Sequence, residues 1–126
     1  MRTVVVLGVL VVAFIGSALW MQHYLIQSGR QLESYVEAIT VALTNDDWPT
    51  IQQQVDSLLA EWRRTERRWN LCTEHPEIDD LNGALSRLRA YAKKNEAAAL
   101  LAEAEVARHL FQHIPEKEAF KLANIL

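Results

Sequence analysis

The amino-terminal segment from Thr3 to Met21 is almost entirely apolar, and no charged residue interrupts it. As an α-helix rising 1.5 Å per residue it would extend about 28 Å, close to the thickness of about 30 Å of a bilayer's hydrocarbon core. Trp20 and Tyr24 lie at its carboxyl edge, where amphipathic aromatic rings favour the headgroup layer. The pattern predicts a single transmembrane helix over residues 1–21.

A cleaved signal peptide is the competing interpretation of this segment. Gly16, Ser17 and Ala18 place small residues where signal peptidase reads them, and residues 4–15 would form the preceding apolar region. The apolar character continues beyond that point through Trp20, which favours an uncleaved anchor.

Charges on either side of the span favour one orientation. Arg2 and the α-amine precede the span and Arg30 follows it, which is a weak bias toward a cytoplasmic amino terminus. We therefore expect residues 22–126 to form the extracytoplasmic domain of a single-pass protein of the cell membrane.

The rest of the chain repeats apolar side chains at spacings of three and four, which is typical of amphipathic helices. Turn signals at Thr44-Asn45, at residues 73–76 and near Asn95 divide it into four predicted helices. Ser28-Gly29 interrupts the first apolar stripe and predicts a joint between anchor and domain. Pro115 predicts the end of the fourth helix, followed by a short carboxy-terminal helix.

Short connections of two to four residues favour antiparallel neighbours. The predicted fold is all-α: a single amino-terminal transmembrane helix, then a small antiparallel four-helix bundle made of two αα-hairpins, with a short carboxy-terminal helix. Valine is scarce after residue 21 and no stretch of period two occurs, so a β-sheet is not expected.

The strongest periodic signal lies in the second predicted helix. An aspartate at position 46 or 47 can cap its start, and Pro49 fits its first turn. Its aromatic residues favour a core position, where large rings fill the space between alanine-rich partners. The stripe consists of Trp48, Ile51, Val55, Leu58, Trp62, Thr65, Trp69 and Cys72, with Trp48, Trp62 and Trp69 as the predicted core aromatics.

Composition narrows the classes of function. The chain has 126 residues with one cysteine, which excludes a disulfide framework and a cysteine-built zinc module. Four glycines form no phosphate-binding loop, and 16 acidic against 13 basic residues argue against a nucleic-acid binder. No motif places a nucleophile beside an acid or base. We therefore expect no enzymatic activity, no catalytic residue and no cofactor.

Two histidines on the fourth predicted helix are the best candidates for a metal or ligand site. Glu105, His109 and His113 are spaced by four residues, so they share one helix face. Cys72 and His75 could complete such a site from the end of the second helix. The simpler interpretation is that these side chains face solvent, and we assign no metal ligand.

Four arginines between Trp62 and Trp69 form a second candidate surface. On the heptad pattern they point outward, either as a solvated face paired with nearby acids or as a surface for anionic lipid, an anionic wall polymer or a partner. The second helix returns toward the membrane by about the length over which the first one leaves it, which favours a position near the headgroups. These residues are Arg63, Arg64, Arg67 and Arg68.

Several short motifs occur in order along the chain. They are the amino-terminal span, Asn45-Asp46-Asp47-Trp48, Glu61-Trp62, Trp69, His75, Glu77-Ile78-Asp79, Leu85-Ser86-Arg87-Leu88-Arg89-Ala90-Tyr91, His113-Ile114-Pro115-Glu116-Lys117-Glu118 and Asn124-Ile125. Together they resemble the domain of unknown function 4363 family, small bacterial proteins found largely in Gram-positive anaerobes. The resemblance covers nearly the whole chain and implies an anchored helical domain in a Gram-positive-type envelope, but it implies nothing about activity, cofactors or catalytic residues.

The sequence thus predicts a membrane-anchored interaction or accessory protein of the bacterial cell envelope, acting by binding. Its expected partners are the lipid bilayer, through residues 3–21, and another membrane or envelope protein, with homo-oligomerisation left open and nucleic acid excluded. Two alternatives stand beside it: a ligand- or metal-sensing extracytoplasmic domain centred on His109 and His113, and a secreted helical binding protein released after Ala18.

Overall fold

The structure, a computed structural model, describes residues 1–125. Within that range every element is an α-helix and no strand occurs, so the all-α prediction is confirmed. The turns between helices are short, as the turn signals indicate. The helices are α1 (Arg2–Thr44), α2 (Trp48–Cys72), α3 (His75–Lys93) and α4 (Ala97–Ile125).

The helices form a bundle around one apolar core. α1 packs against α2 and α4, and α3 packs against the same two helices. Each helix contributes the stripe that the three-and-four spacing predicts. The fully buried positions include Leu32 and Ile39 of α1, Ile51 and Leu58 of α2, Leu81 and Leu88 of α3, and Leu100 and Phe111 of α4.

α1 is a single helix of 43 residues, so the predicted joint at Ser28-Gly29 is wrong. The Ser28 hydroxyl donates to the Tyr24 carbonyl at 2.7 Å, which keeps the side chain within the helix. Gly29 serves close packing instead of bending. A Cβ there would lie 2.9 Å from the carbonyl oxygen of Phe111 and 3.2 Å from Cγ of Pro115, so only a glycine admits α4 at this distance.

α4 continues through Pro115, so the separate carboxy-terminal helix predicted after that residue is also wrong. Proline has no N–H, which leaves the carbonyl of Phe111, four residues earlier, without its helical donor. That carbonyl lies against the Gly29 backbone, and Ile114 and Pro115 are both buried. Tertiary packing on both sides of the proline therefore outweighs its cost of about 3 kcal/mol in a helix.

The turns between the helices lie where the sequence predicts them, and the left-handed residue of the first turn follows the predicted Thr44-Asn45 pair. The left-handed residue after α1 is Asp46 (φ 53°), whereas Asn45 of the predicted turn signal has φ −92°. Asp47 caps α2 by accepting from the Thr50 N–H at 3.3 Å. Asn95 (φ 55°) takes the left-handed conformation between α3 and α4, where its short polar side chain is well tolerated.

α1 divides into two halves by burial. Its first buried residue is Leu25, and from there the helix contributes one side of the bundle core. Some residues between Ala18 and Tyr24 still line grooves shared with other helices, and the helix extends beyond the bundle before Ala18. An 18-residue window of α1 that is long and apolar enough to cross a membrane has none of its residues buried. The exposed large apolar side chains between Val4 and Phe14 have exposed fractions of 50–71%.

Candidate membrane-facing surface

One end of the bundle surrounds the point where α1 leaves it, and we call this the basal end. It comprises residues 18–25 of α1, the carboxyl ends of α2 and α4, and the amino end of α3. The segments of α1, α2 and α4 meet at a groove of about 220 Å³. The groove is lined by Ala18, Met21, Gln22, Leu25, Cys72, Glu118, Lys121, Leu122 and Ile125.

Four charged side chains join α3 to α4 at the basal end. Lys117 Nζ lies 2.9 Å from a Glu77 carboxylate oxygen and 3.5 Å from Glu74, and Lys121 Nζ lies 2.8 Å from Glu74. The hydrogen bond from Lys121, together with the nearby Lys117 charge, holds the pKa of Glu74 below its usual value. The pKa values of Lys117 and Lys121 are raised, chiefly by their hydrogen bonds to Glu77 and Glu74. Glu74 and Glu77 are therefore paired with lysines at the basal end, while Glu118 Oε1 lies 3.6 Å from Lys121 Nζ and has no hydrogen-bond partner among the described residues.

Cys72 lies at the same end, in the last turn of α2. Its Sγ lies 3.1 Å from the Arg68 carbonyl, a position from which the thiol donates. Burial, and secondarily the negative charge of Glu118, raise the pKa of the thiol. The thiolate is therefore disfavoured at neutral pH, which makes Cys72 a weak nucleophile.

The four predicted arginines are all exposed, but the structure divides them into two pairs. Arg64 and Arg68 border a groove of about 660 Å³ between α1 and α2, and Arg30 lines the same groove from α1. Arg63 and Arg67 do not line it. Since successive helical residues are turned by about 100°, adjacent arginines necessarily diverge.

Arg64 and Arg68, the two of the four predicted arginines that line the groove, each contact a neighbouring side chain. An Arg64 Nη2 donates to Glu61 Oε2 at 2.7 Å, an exposed pair three residues apart on α2. The guanidinium of Arg68 lies 5.2 Å from the centre of the Tyr24 ring, a cation–π contact from α2 to α1. Three arginines against one glutamate give this groove a local positive charge in an otherwise acidic chain.

Two of the three predicted core aromatics lie in the core. Trp69 is 0% exposed, and its Nε1 donates to the Ser28 hydroxyl at 2.9 Å. Trp62 meets the Trp69 ring edge-on at 5.5 Å, and Phe111 completes the cluster from α4. Trp48 lies at the edge of the core, half-buried, and its Nε1 donates to the Asp46 carboxylate at 2.9 Å.

The histidine pair does not gain further ligands from the fold. His109 and His113 are exposed and their rings stack at 5.3 Å. Among residues 1–125 no three histidine, cysteine, aspartate or glutamate side chains come close enough to hold a metal ion. The structure therefore does not bring Cys72 or His75 to this pair, as a shared metal site would require.

Sequence reasoning missed several residues at the two surfaces. Arg30 and Tyr24 belong to the arginine groove, although both are more than 30 residues away from Arg64 in sequence. Leu71 is exposed at the end of α2, and Phe120 is exposed on α4. The one available signal was that Leu71 falls outside the apolar stripe of its helix.

Comparison with known proteins gives one match. The family model described as Domain of unknown function (DUF4363) matches residues 19–125, which confirms the resemblance inferred from the motifs. No curated protein and no solved structure matches the chain. The family description assigns no activity.

Proposed function

The chain belongs to the DUF4363 family, and on that premise we propose that it is a single-pass membrane protein that displays a helical bundle for binding another membrane or envelope protein. The observation that carries the proposal is the burial pattern of α1. One face of its carboxyl half is part of the bundle core, whereas no residue of its apolar 18-residue window is buried by the part of the chain that the structure describes. A bilayer would remove this long apolar surface from water, which supports the proposal.

Within the bundle we infer the antiparallel order of two αα-hairpins. Hydrogen bonds between neighbouring helices support this order. As the residue number rises along one helix, the number of its bonded partner falls along the other. On α2 and α3, Gln52 donates to the Ala92 carbonyl and Trp62 to Asn82. On α3 and α4, Arg87 donates to Glu103 and Lys117 to Glu77. On α1 and α4, Arg108 donates to Glu37 and Gln112 to Glu33.

The position of α1 in a bilayer would also place the arginines. With Met21 at the hydrocarbon boundary, Tyr24 lies about 4.5 Å above it, within the polar layer of roughly 5–7 Å on each side. Arg68 contacts Tyr24 and so lies at headgroup level, with Arg64 one helical turn farther out. We propose that this surface faces anionic headgroups, at about 1 kcal/mol per basic residue near the membrane.

The anchor is tested on the full-length protein expressed in bacteria. We expect it to stay with membranes after alkaline carbonate extraction and to retain an intact mass that includes residues 1–18. A variant with Val9→Asp and Val12→Asp is the matched control, since a charge at the centre of a span costs about 3 kcal/mol per residue. Extraction of the unsubstituted protein would overturn the proposal, and a mass beginning at residue 19 would establish the secreted alternative.

The topology is tested in intact cells with a membrane-impermeant maleimide. Cysteine is placed at the exposed Ser86 in a Cys72→Ser background, so that labelling reports only the surface of α3. We expect labelling before cell lysis, because the bundle is proposed to lie outside the cytoplasm. Labelling only after lysis would place the bundle in the cytoplasm and reverse the orientation.

Catalysis and metal sensing receive less support. The described residues hold no third ligand near His109 and His113, and the raised thiol pKa disfavours Cys72 as a nucleophile. Binding is the role that a rigid helical bundle on a membrane anchor supports best. Crosslinking in native membranes, followed by identification of the captured protein, tests that role, and capture equal to that of a scrambled-surface control would contradict it.

A further inference from the structure

The most exposed large apolar side chains outside the apolar segment are concentrated at the basal end. Leu71 is 80% exposed, Phe120 69% and Ile125 74%. The other exposed large apolar residues of the described bundle are 42–51% exposed and lie elsewhere, on α1 and α4. Water is an unfavourable environment for these side chains, and their clustering at one end calls for a common neighbour.

These residues lie at the level where α1 passes out of the bundle. Leu71 precedes Cys72, which lines the basal groove together with Ala18 and Met21. Phe120 precedes Lys121, which lines the same groove from α4. On the proposed anchor, this level is the boundary between hydrocarbon and headgroups.

We propose that the basal end is seated in the bilayer interface, with the side chains of Leu71 and Phe120 inserted among the lipids beside α1. The inference rests on the proposed anchor and deepens it, since it names lipid as the ligand of a defined bundle surface. Continuity with the apolar half of α1 selects lipid over a protein partner, because the exposed side chains flank the span itself.

The charged residues of the basal end are also compatible with contact with lipid. The carboxylates of Glu74 and Glu77 are paired with Lys117 and Lys121, so they present little free negative charge to the membrane. Arg67 and Arg68 lie one turn before Leu71 on α2 and are exposed. An apolar tip with basic residues directly above it is the arrangement of an interfacial membrane-binding surface.

The experiment places a fluorescent probe at single cysteines of the full-length protein in a Cys72→Ser background. The positions are Leu71→Cys, Phe120→Cys and, as the matched control at a distant exposed apolar site, Val41→Cys, which is 51% exposed in the native chain. Each protein carries the environment-sensitive dye NBD and is reconstituted in vesicles of phosphatidylcholine and phosphatidylglycerol. Spin-labelled lipids with nitroxides at the headgroup or on the acyl chain quench the dye by contact.

We expect blue-shifted emission and severalfold stronger nitroxide quenching at positions 71 and 120 than at 41. Circular dichroism checks that all three proteins stay helical, which is expected because each native side chain is exposed. Equal quenching at all three positions, with the protein still floating with the vesicles, would overturn the insertion of the basal end into the interface. It would leave the proposed transmembrane anchor unaffected. Loss of flotation would instead overturn the anchor.

A second copy of the chain is the rival occupant. It would give blue-shifted emission that grows with the protein-to-lipid ratio and little nitroxide quenching, and that result would also overturn the proposal. In the Leu71→Cys background, replacing Arg67 and Arg68 by glutamine should reduce headgroup quenching in vesicles containing phosphatidylglycerol and leave it nearly unchanged in pure phosphatidylcholine. An equal reduction in both lipids would contradict the assigned role of the arginines.

Discussion

At Gly29 α1 and α4 approach each other closely, and its replacement by alanine tests the packing of the bundle. The added methyl would lie 2.9 Å from the Phe111 carbonyl oxygen, 3.2 Å from Pro115 Cγ and 3.7 Å from Trp69 Cζ2. The first contact is with backbone, the second with a rigid ring and the third with a fully buried indole. None of these neighbours yields without moving α4 or the aromatic cluster.

Two opposing terms set the size of the effect. Alanine favours a helix over glycine by about 1 kcal/mol, whereas overpacking a core costs about 1–3 kcal/mol. We therefore expect Gly29→Ala to lower the free energy of unfolding by up to about 2 kcal/mol. Gly83→Ala is the matched control, since its methyl would meet only the exposed guanidinium of Arg87, at 3.2 Å. That substitution should stabilise the protein by about 0.5–1 kcal/mol.

The assay is thermal unfolding of the full-length protein in detergent micelles, followed by circular dichroism. A difference of 1 kcal/mol corresponds to about 4–8 °C in the midpoint for a domain of this size. Gly83→Ala should therefore unfold above the unsubstituted protein and Gly29→Ala below Gly83→Ala by at least several degrees. A midpoint for Gly29→Ala at or above that of Gly83→Ala would refute the close approach of α1 and α4.

Other predictions use the same unfolding measurement or a thiol assay. Trp69→Ala should lower the free energy of unfolding by about 3–5 kcal/mol, and an unchanged midpoint would contradict its burial. Ser28→Ala should cost about 1–3 kcal/mol, since it leaves the buried Trp69 N–H without an acceptor, whereas Ser28→Thr should retain most of the stability. The ionised Glu74 carboxylate contributes to the free energy of unfolding at pH values above its pKa in the unfolded chain. This stabilisation is lost as the pH falls through the lower pKa that Glu74 has in the folded protein. Acidification should therefore lower the midpoint less in Glu74→Gln than in the unsubstituted protein, and equal decreases would contradict the pairing with Lys121. Cys72 should react with iodoacetamide more slowly at pH 8 than a free thiol, and a faster reaction would contradict its raised pKa.

The sequence was sufficient for elements whose structure is decided locally. Apolar spacing of three and four predicts the helices because each helix must turn one face to the core, and that spacing is visible in one dimension. Asp47 and Asn95 mark turns because a short polar side chain satisfies backbone groups or tolerates the left-handed conformation wherever it occurs. The apolar run before Leu25 is equally visible, since it needs only composition and length.

The two wrong predictions about helix continuity have a single cause. Taken alone, Gly29 and Pro115 are helix-weakening residues, and local rules therefore place breaks at both. In the bundle they face each other: the glycine supplies the space and the proline frees the Phe111 carbonyl that occupies it. Each residue is explained by the other, across 86 positions of sequence, and no local pattern contains that information.

The candidate surfaces show the same limit. The arginines between positions 63 and 68 are one cluster in sequence, but helical rotation sends Arg64 and Arg68 toward α1 and leaves Arg63 and Arg67 outside that groove. Arg30 joins the groove only because α1 packs against α2 at that height. Likewise, the exposure of Phe120 depends on α4 continuing beyond Pro115, so the basal end could not be recognised until that continuity was known.

The continuity of α1 has a consequence for how such a protein would bind a partner. In the proposed arrangement α1 both spans the bilayer and packs in the bundle without a joint at which the bundle could turn freely, so the bundle's direction would follow the tilt of the span. On that arrangement the rise of α1 from Met21 to Thr44, about 35 Å, would limit partner contacts to within that height of the hydrocarbon boundary. With the basal end seated in lipid, the surfaces left for a partner are the outer sides of α2, α3 and α4 and the tip beyond Thr44. On these proposals, a membrane protein standing beside the bundle would meet these sides in one fixed register, as expected for the proposed accessory role.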